Sequence, residues 1–339
     1  MPRMQRTKVA QFGLGPIGLE SLRLAATIPT LEIVGAVDND PAKAGRSLAD
    51  LTGVGALDGL TVVRTVEDLF RENPPTVILH TASSSAATTF AQMRPALELG
   101  VNVVSTCEEL IFPALRAPAL AKEYDVLCRH AGARIVATGV NPGFVMDALP
   151  ICLTGVCREV EAITIERVVD AATRRQPLQA KIGSGQPAAA FRERLASGRA
   201  GHAGLRESLA LVAHALGWTL DAVHETAEPV VAAGAIRTEF FDVAPGQVCG
   251  IHQRAVGLVG GRERVVLDLQ MYLGAPDPRD VIVVRGRPDL HLRLEGGVAG
   301  DTATIAALVN TVPRLLAAAP GLRLLTELAL PVWTGRKTG

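Results

Sequence analysis

The amino-acid sequence predicts an α/β fold in two parts: a doubly wound parallel sheet, followed by an α+β domain with a mostly antiparallel sheet. Three observations lead to this fold class. Short, continuously apolar segments alternate with helical patterns over residues 1–147, as in parallel sheets covered by helices. A glycine-rich turn joins the first strand to the first helix. From residue 150 onward, strand-like segments alternate apolar and polar residues, which is typical of half-buried strands.

Composition narrows the class of protein. The length of 339 residues fits two domains, and 48% hydrophobic residues provide for a sizeable core. A net charge of zero argues against nucleic-acid or membrane-surface partners. The five cysteines are odd in number and contain no CxxC, and the basic N-terminus leads into a strand without a signal-peptide apolar region. We therefore expect a cytoplasmic protein.

The glycine-rich turn reads GLGPIG and follows an apolar strand. Each glycine has a physical role in this context: Gly13 makes the tight turn, Gly15 lets the backbone approach a pyrophosphate, and Gly18 lets helix and strand pack closely. The helix that begins at Pro16 and Ile17 offers N–H groups and its positive dipole end to the phosphates. The pattern predicts a Rossmann domain that binds NAD or NADP.

Asp38 ends the second apolar strand, about 20 residues after Gly18, where an acid binds the adenosine ribose. A carboxylate there accepts a hydrogen bond from a free 2′-hydroxyl and repels a 2′-phosphate, which favours NAD. Asn39, Lys43 and Arg46 lie close enough in sequence to soften that preference, and Asn39 is itself a candidate cofactor residue.

Two further segments are candidates for the cofactor site. Thr81, Ala82 and Ser83 follow the apolar strand TVILH, and such small residues let a nicotinamide ribose lie close to the strand end. A hydroxyl-rich cap for the next helix is an equally compatible interpretation. Asn141, in the turn GVNPGF, offers its amide to the cofactor or to a substrate, the alternative being ordinary turn chemistry.

Two carboxylates, Glu108 and Glu109, follow the next apolar strand, where the nicotinamide ring meets its substrate in a Rossmann enzyme. Either one is a candidate general base if desolvation raises its pKa. The alternative is that both occupy a first helical turn and complement the helix dipole.

We place domain boundaries at residues 147 and 310. The expected parts are a dinucleotide-binding domain (1–147), a substrate-binding and dimerisation domain (148–310), and a C-terminal segment that packs back on the first domain (311–339). Three local expectations accompany them: a helix over 39–46, a basic loop over 174–186 and one strand over 235–243.

Candidate pocket residues are Phe144, Leu178 and His252. Phe144 is equally compatible with a core aromatic. A lone histidine, such as His252 or His80 at a strand end, is more often structural than catalytic. The sequence contains no HExxH motif and no Cys/His cluster, so we expect no metal.

The segments GLGPIG, STCEEL, ATGVNPGF and GDTATIAALVN together resemble the 2,4-diaminopentanoate dehydrogenases and the related native amine dehydrogenases, which are often described as dihydrodipicolinate reductase-like. The resemblance spans nearly the whole chain. It implies NAD(P)-dependent, reversible deamination of an amine, or amination of a ketone or aldehyde with ammonia, by a homodimer built through the second domain. It also implies that Glu108, with Glu109 as the fallback, handles ammonia and protons, and that Asn141 and Phe144 begin the pocket.

Departures from related enzymes limit the substrate. The chain has neither the paired-histidine motif of true dihydrodipicolinate reductases nor the Glu-Lys-Pro of inositol-type dehydrogenases. Residues 167–170 and 174–177 stand where the diaminopentanoate enzymes have a more polar stretch, so we expect a simpler amine or ketone. Two alternatives stay open: a carbonyl reductase that needs no ammonia, and a non-catalytic NAD(P) sensor.

Overall fold

The computed structural model describes residues 6–335, so residues 1–5 of the basic N-terminus and residues 336–339 lie outside the described part. The chain forms two units. One runs to Gly143 and resumes at Ala299, and the other comprises Phe144–Val298. The boundary expected at residue 310 is corrected to 298, because the whole helix Gly300–Ala317 packs on the first helix and the parallel sheet of the first unit.

The first unit is built on a seven-stranded sheet. Its strands are β1 (Thr7–Phe12), β2 (Leu31–Val37), β3 (Val62–Val63), β4 (Val77–His80), β5 (Asn102–Ser105), β6 (Arg134–Ala137) and β15 (Gly321–Arg323). All neighbouring strands are parallel, in the order β15-β6-β5-β4-β1-β2-β3. This is the predicted doubly wound sheet, and its strand order reverses between β1 and β4, where ligands bind in such folds.

Six helices accompany this sheet: α1 (Pro16–Ala26), α2 (Leu48–Thr52), α3 (Val66–Glu72), α4 (Ala86–Glu98), α5 (Pro118–Ala131) and α10 (Gly300–Ala317). Helix starts follow local chemistry. Ser47, Thr65 and Ser85 accept hydrogen bonds from backbone N–H groups in the first turns of α2, α3 and α4. Gly132 ends α5 in the left-handed conformation, at a φ of 73°.

The second unit contains a six-stranded mixed sheet and a small hairpin. The strands are β7 (Glu159–Asp170), β8 (Ala222–Val231), β9 (Ile236–Arg237), β10 (Asp242–Val243), β11 (Val248–Val259), β12 (Arg262–Tyr272), β13 (Arg279–Arg287) and β14 (Leu290–Glu295). The large sheet has the order β14-β13-β7-β12-β11-β8, and β9 pairs with β10. In the large sheet only β7 and β12 pair in parallel, so the prediction of a mostly antiparallel sheet is confirmed.

Four helices belong to this unit: α6 (Ala148–Thr154), α7 (Gln176–Lys181), α8 (Ala188–Ala196) and α9 (Leu205–Ala215). Helix α9 packs against β11 and β12 and is buried along most of its length. On β12, Leu267 and Leu269 are fully buried, whereas Val266, Asp268 and Gln270, which alternate with them, are partly exposed. One face of the sheet therefore forms the core, and the opposite face is open in the single chain.

The three local expectations are wrong. In place of the helix over 39–46, only a turn forms over 41–45, because Gly45 takes a left-handed φ of 80° and its N–H donates to the carbonyl oxygen of Val62 instead of continuing a helix. The single strand over 235–243 is two short strands, because the Thr238 hydroxyl accepts from the N–H groups of Phe240 and Phe241 and folds the chain back. The basic loop over 174–186 contains α7 and is held by buried Gln179, which donates to the carbonyl oxygens of Ala172 and Arg174.

Candidate functional site

A cavity of about 560 Å³ opens at the carboxyl ends of β1 to β4, where the strand order reverses. Its lining comprises Phe12, Gly13, Leu14, Gly15, Asp38, Asn39, Arg64, Thr65, Val66, Glu67, Thr81, Ala82, Gln92 and Pro95. Six residues that the sequence singled out for a dinucleotide are thus brought together: Gly13, Gly15, Asp38, Asn39, Thr81 and Ala82. The other lining residues, among them Arg64 and Gln92, were not foreseen.

The remaining cofactor candidates are not among the residues that line this cavity. Pro16, Ile17 and Gly18 form the first turn of α1, directly behind the glycine-rich turn. Ser83 makes a local turn in which its hydroxyl accepts from the N–H of Ser85 at 3.1 Å. Asn141 belongs to the turn after β6, and its side-chain oxygen and nitrogen are screened from solvent.

The glycine-rich turn has the shape that a bound pyrophosphate requires. Gly13 has a φ of 90°, and a Cβ there would lie 3.0 Å from the Cβ of Ala82. A Cβ on Gly18 would overlap the carbonyl oxygen of Gly13, which explains the need for glycine at this position. A Cβ on Gly15 would meet no atom of the described chain within 4 Å and would project into open space. These residues fit a dinucleotide cofactor, because the backbone at Gly15 is accessible to a phosphate.

Buried Gln11 of β1 holds the turn in place. Its side-chain amide donates to the carbonyl oxygen of Gly13 at 3.1 Å and to the Thr81 hydroxyl at 2.9 Å. The Thr81 hydroxyl in turn donates to the Gly13 carbonyl at 3.0 Å. Thr81 therefore ties the end of β4 to the turn after β1. The only sequence signal for Gln11 is a polar residue inside the apolar strand VAQF.

Asp38 lines the cavity and also binds backbone N–H groups of two neighbouring segments. One carboxylate oxygen accepts from the N–H of Leu14 at 2.7 Å, and the other accepts from the N–H of Asp40 at 2.9 Å. The ammonium group of Lys43 lies 3.2 Å from Asp38 and 3.3 Å from Asp40. Partial burial acts to lower the pKa of Lys43, but the hydrogen bonds and charges of Asp38 and Asp40 outweigh it and leave that pKa raised.

Glu108 and Glu109 form a short 3₁₀ turn, Glu108–Ile111, directly after β5, and both are half-buried. The Glu109 carboxylate accepts from the N–H of Ala86 at 2.9 Å, at the N-terminus of α4, and lies 3.7 Å from Arg116. The N–H of Glu109 donates to the Ser84 carbonyl at 3.3 Å. The Glu109 carboxylate therefore lies at the N-terminus of another helix, α4, and fastens the glutamate turn to the segment after β4.

Two ionisable neighbours of this turn, Cys107 and His80, are neutral. Burial raises the pKa of Cys107 to about 11, so its thiol stays protonated. Burial lowers the pKa of His80 to about 4, so the imidazole stays uncharged near neutral pH. His80 lies 2.9 Å from both Gln92 Oε1 and Ser105 Oγ, and Ser105 Oγ accepts from the N–H of Cys107 at 3.0 Å. The carboxyl groups of the turn itself belong to Glu108 and Glu109.

The pocket candidates of the second unit lie in different settings. Phe144 and Leu178 are half-buried. His252 lies on the open face of the sheet, where its Nε2 is 3.0 Å from the Asp268 carboxylate. It therefore does not belong to the buried side of the unit. Buried Arg167, in the segment that departs from the diaminopentanoate enzymes, pairs with Asp280 at 2.6 Å and is part of the core.

Over residues 6–335 no cluster of His, Cys, Asp or Glu could hold a metal ion, and no helix is long and apolar enough to span a bilayer.

Comparisons with known proteins agree on one family. Residues 144–336 match the family model of the 2,4-diaminopentanoate dehydrogenase C-terminal domain. A 2,4-diaminopentanoate dehydrogenase of Acetoanaerobium sticklandii is 30% identical over 97% of this chain and 95% of its own length. An amine dehydrogenase of Streptomyces virginiae is 25% identical over 92% of this chain and 93% of its own. The fold is shared with an amine dehydrogenase structure from Mycobacterium smegmatis, at a TM-score of 0.85 and 23% identity over 96% of this chain and 97% of that one.

Proposed function

The chain belongs to the 2,4-diaminopentanoate dehydrogenase family and is an oxidoreductase of the amine dehydrogenase type, and we propose that it catalyses the NAD(P)-dependent, reversible oxidative deamination of a small amine. In reverse, it aminates a ketone or aldehyde with ammonia. The observation that carries this proposal is the glutamate turn after β5. This turn directly follows β5, and β5 pairs with β4. Thr81 and Ala82, which follow β4, line the dinucleotide cavity.

The first unit supplies the cofactor site. The backbone of Gly13 and Gly15 and the first turn of α1 receive the pyrophosphate, because they present N–H groups and a positive dipole end. Asp38 and Asn39 would hold the adenosine ribose, and Thr81 with Ala82 the nicotinamide ribose. The bound dinucleotide would supply the acceptor, or in reverse the donor, for a hydride of the substrate carbon that carries the nitrogen.

Glu108 is the group that moves protons. In deamination its carboxylate takes a proton from the substrate ammonium, so that the nitrogen lone pair can assist hydride loss and an iminium forms on the substrate. It releases that proton to solvent and then accepts a proton from the water that attacks the iminium carbon. It passes this second proton to the nitrogen of the carbinolamine and takes up the hydroxyl proton as ammonia leaves and the carbonyl forms. In amination the same carboxylate receives ammonia and carries its protons in the opposite order. Glu109 is already committed to the N-terminus of α4, so it supports the turn and does not move protons.

A paired substitution tests this assignment. Glu108→Gln keeps the size of the side chain but removes the base, so we expect turnover to fall by about 100-fold or more while NADPH and NADH still bind. Glu109→Gln is the matched control, because its amide oxygen still accepts from the N–H of Ala86, and its turnover should stay within about tenfold of the parent. Cofactor affinity is measured by fluorescence titration and turnover by absorbance. Wild-type turnover in Glu108→Gln would remove Glu108 from the mechanism.

Two further features complete the proposal. The protein acts as a cytoplasmic homodimer, a location that fits the five unpaired cysteines. The open face of the six-stranded sheet supports the dimer, because it carries a row of small apolar and hydroxyl side chains across β13, β7 and β12: Val283, Thr164 and Val266. The substrate is a simpler amine or ketone than a diamino acid, and Phe144 and Leu178 remain its candidate contacts.

A further inference from the structure

Arg64 stands next to Asp38 at the adenosine end of the cavity. It follows β3 directly, and the N–H of Asp38 donates to the carbonyl oxygen of the preceding Val63 at 3.1 Å. Arg64 lines the same cavity as Asp38 and Asn39 and also lines a neighbouring surface pocket of about 510 Å³. Its side chain is exposed and makes no ion pair within residues 6–335. A guanidinium group is therefore available beside the predicted ribose site.

Asp38 is a weaker barrier to a phosphate than its position in the sequence suggests. Both carboxylate oxygens are occupied by the N–H groups of Leu14 and Asp40, and Lys43 neutralises the charge at 3.2 Å. The Asp38 side chain is only 10% exposed, whereas Lys43 is 28% exposed. Among the residues that line this end of the cavity, Arg64 is the exposed cation, and Lys43 acts from behind by offsetting the charge of Asp38. Glu67 also lines the cavity and is an acid that opposes Arg64.

We propose that Arg64 binds the 2′-phosphate of the adenosine ribose beside an Asp38 whose charge Lys43 offsets, so that the protein accepts NADP(H) as well as NAD(H). Arginine is suited to this contact because its planar N–H groups meet phosphate oxygens in pairs. With NAD(H) the same guanidinium remains in solvent, and the ribose hydroxyl bonds to the remaining acceptor capacity of Asp38. The inference rests on the proposed function only in taking the ligand to be a nicotinamide dinucleotide.

Binding measurements test it without relying on catalysis. The dissociation constants of NADPH and NADH are measured by nucleotide fluorescence for the full-length parent, Arg64→Ala, Arg64→Lys and Arg71→Ala. Arg71 is the matched control, because it lies on α3, lines only the neighbouring pocket and pairs with Asp68. Circular dichroism establishes that each variant is folded. Adenosine 2′-monophosphate, as a competitor of bound NADPH, probes the phosphate contact separately from the nicotinamide.

The parent should bind the two nucleotides with affinities within about tenfold of each other. Arg64→Ala should weaken NADPH by about ten- to hundredfold and NADH by less than about twofold, since one charge-assisted contact is lost. Arg64→Lys should recover part of the loss, and Arg71→Ala should change neither affinity. Equal weakening of both nucleotides, no change for either, or a parent that binds only NADH would overturn the proposal. A parent that binds neither nucleotide would overturn the proposed function as well, whereas binding without ammonia-dependent turnover would affect the proposed function alone.

Discussion

Individual side chains in the first unit show how a buried polar residue can organise a site without taking part in the chemistry. Gln11 and Thr81 hold the carbonyl of Gly13, and Glu109 holds the N-terminus of α4. Each satisfies backbone groups that would be costly to leave unpaired in a buried loop. His80 also has a structural role, because its imidazole joins the side chain of Gln92 at the cavity to that of Ser105 at the end of β5.

The buried imidazole of His80 predicts a pH effect on stability. Burial lowers its pKa to about 4, whereas the unfolded chain binds the proton below about 6.5. Stability from this residue is therefore complete above pH 6.5 and is lost as the pH falls towards 4, by up to about 3 kcal/mol. Urea unfolding of the parent and of His80→Asn at several pH values between about 7.5 and 4.5 measures this. The variant should lose less stability on acidification than the parent, and identical pH profiles would contradict the assignment.

Local sequence determined most of the elements, and long-range contacts determined the rest of the site. The parallel strands were predictable because their apolar runs are continuous, and the glycine-rich turn because its spacing is specific. Arg64 and Gln92 could not be foreseen, since they reach the cavity from the end of β3 and the middle of α4. The helix over 39–46 was mispredicted because the N–H of Gly45 bonds to the carbonyl oxygen of Val62 on a neighbouring strand, a long-range contact that propensity does not reveal.

The open face of the second sheet is the expected dimer interface, and a substitution tests it. If this face is the dimer interface, Val266→Asp should place a charge in it and convert the protein from a dimer to a monomer of 35.6 kDa. The monomer should keep its fold, because Val266 is partly exposed in the single chain. Val126→Asp is the control, since Val126 is 58% exposed on α5 of the first unit. Light scattering gives the mass and circular dichroism the fold; a Val266→Asp variant that stays dimeric would place the interface elsewhere.

Family membership and the two units together define the molecule as an amine dehydrogenase. The substrate depends on pocket residues, which sequence patterns identify poorly. Phe144 and Leu178 come from separate segments of the second unit, and His252 illustrates the difficulty. A strand alternates its side chains between two faces, so the register decides whether a histidine enters a pocket or the open face. In this chain it is the open face.

The proposed reaction requires ammonia as a reactant. The most direct measurement follows oxidation of NADPH and of NADH by the pure protein with a panel of small ketones and aldehydes, with and without concentrated ammonium at about pH 9, where a substantial fraction is free ammonia. Oxidation that requires ammonium, and occurs with both nucleotides, is the predicted result. Equal rates of nucleotide oxidation without ammonium would contradict the requirement for ammonia. They would indicate a carbonyl reductase, in which Glu108 does not handle ammonia.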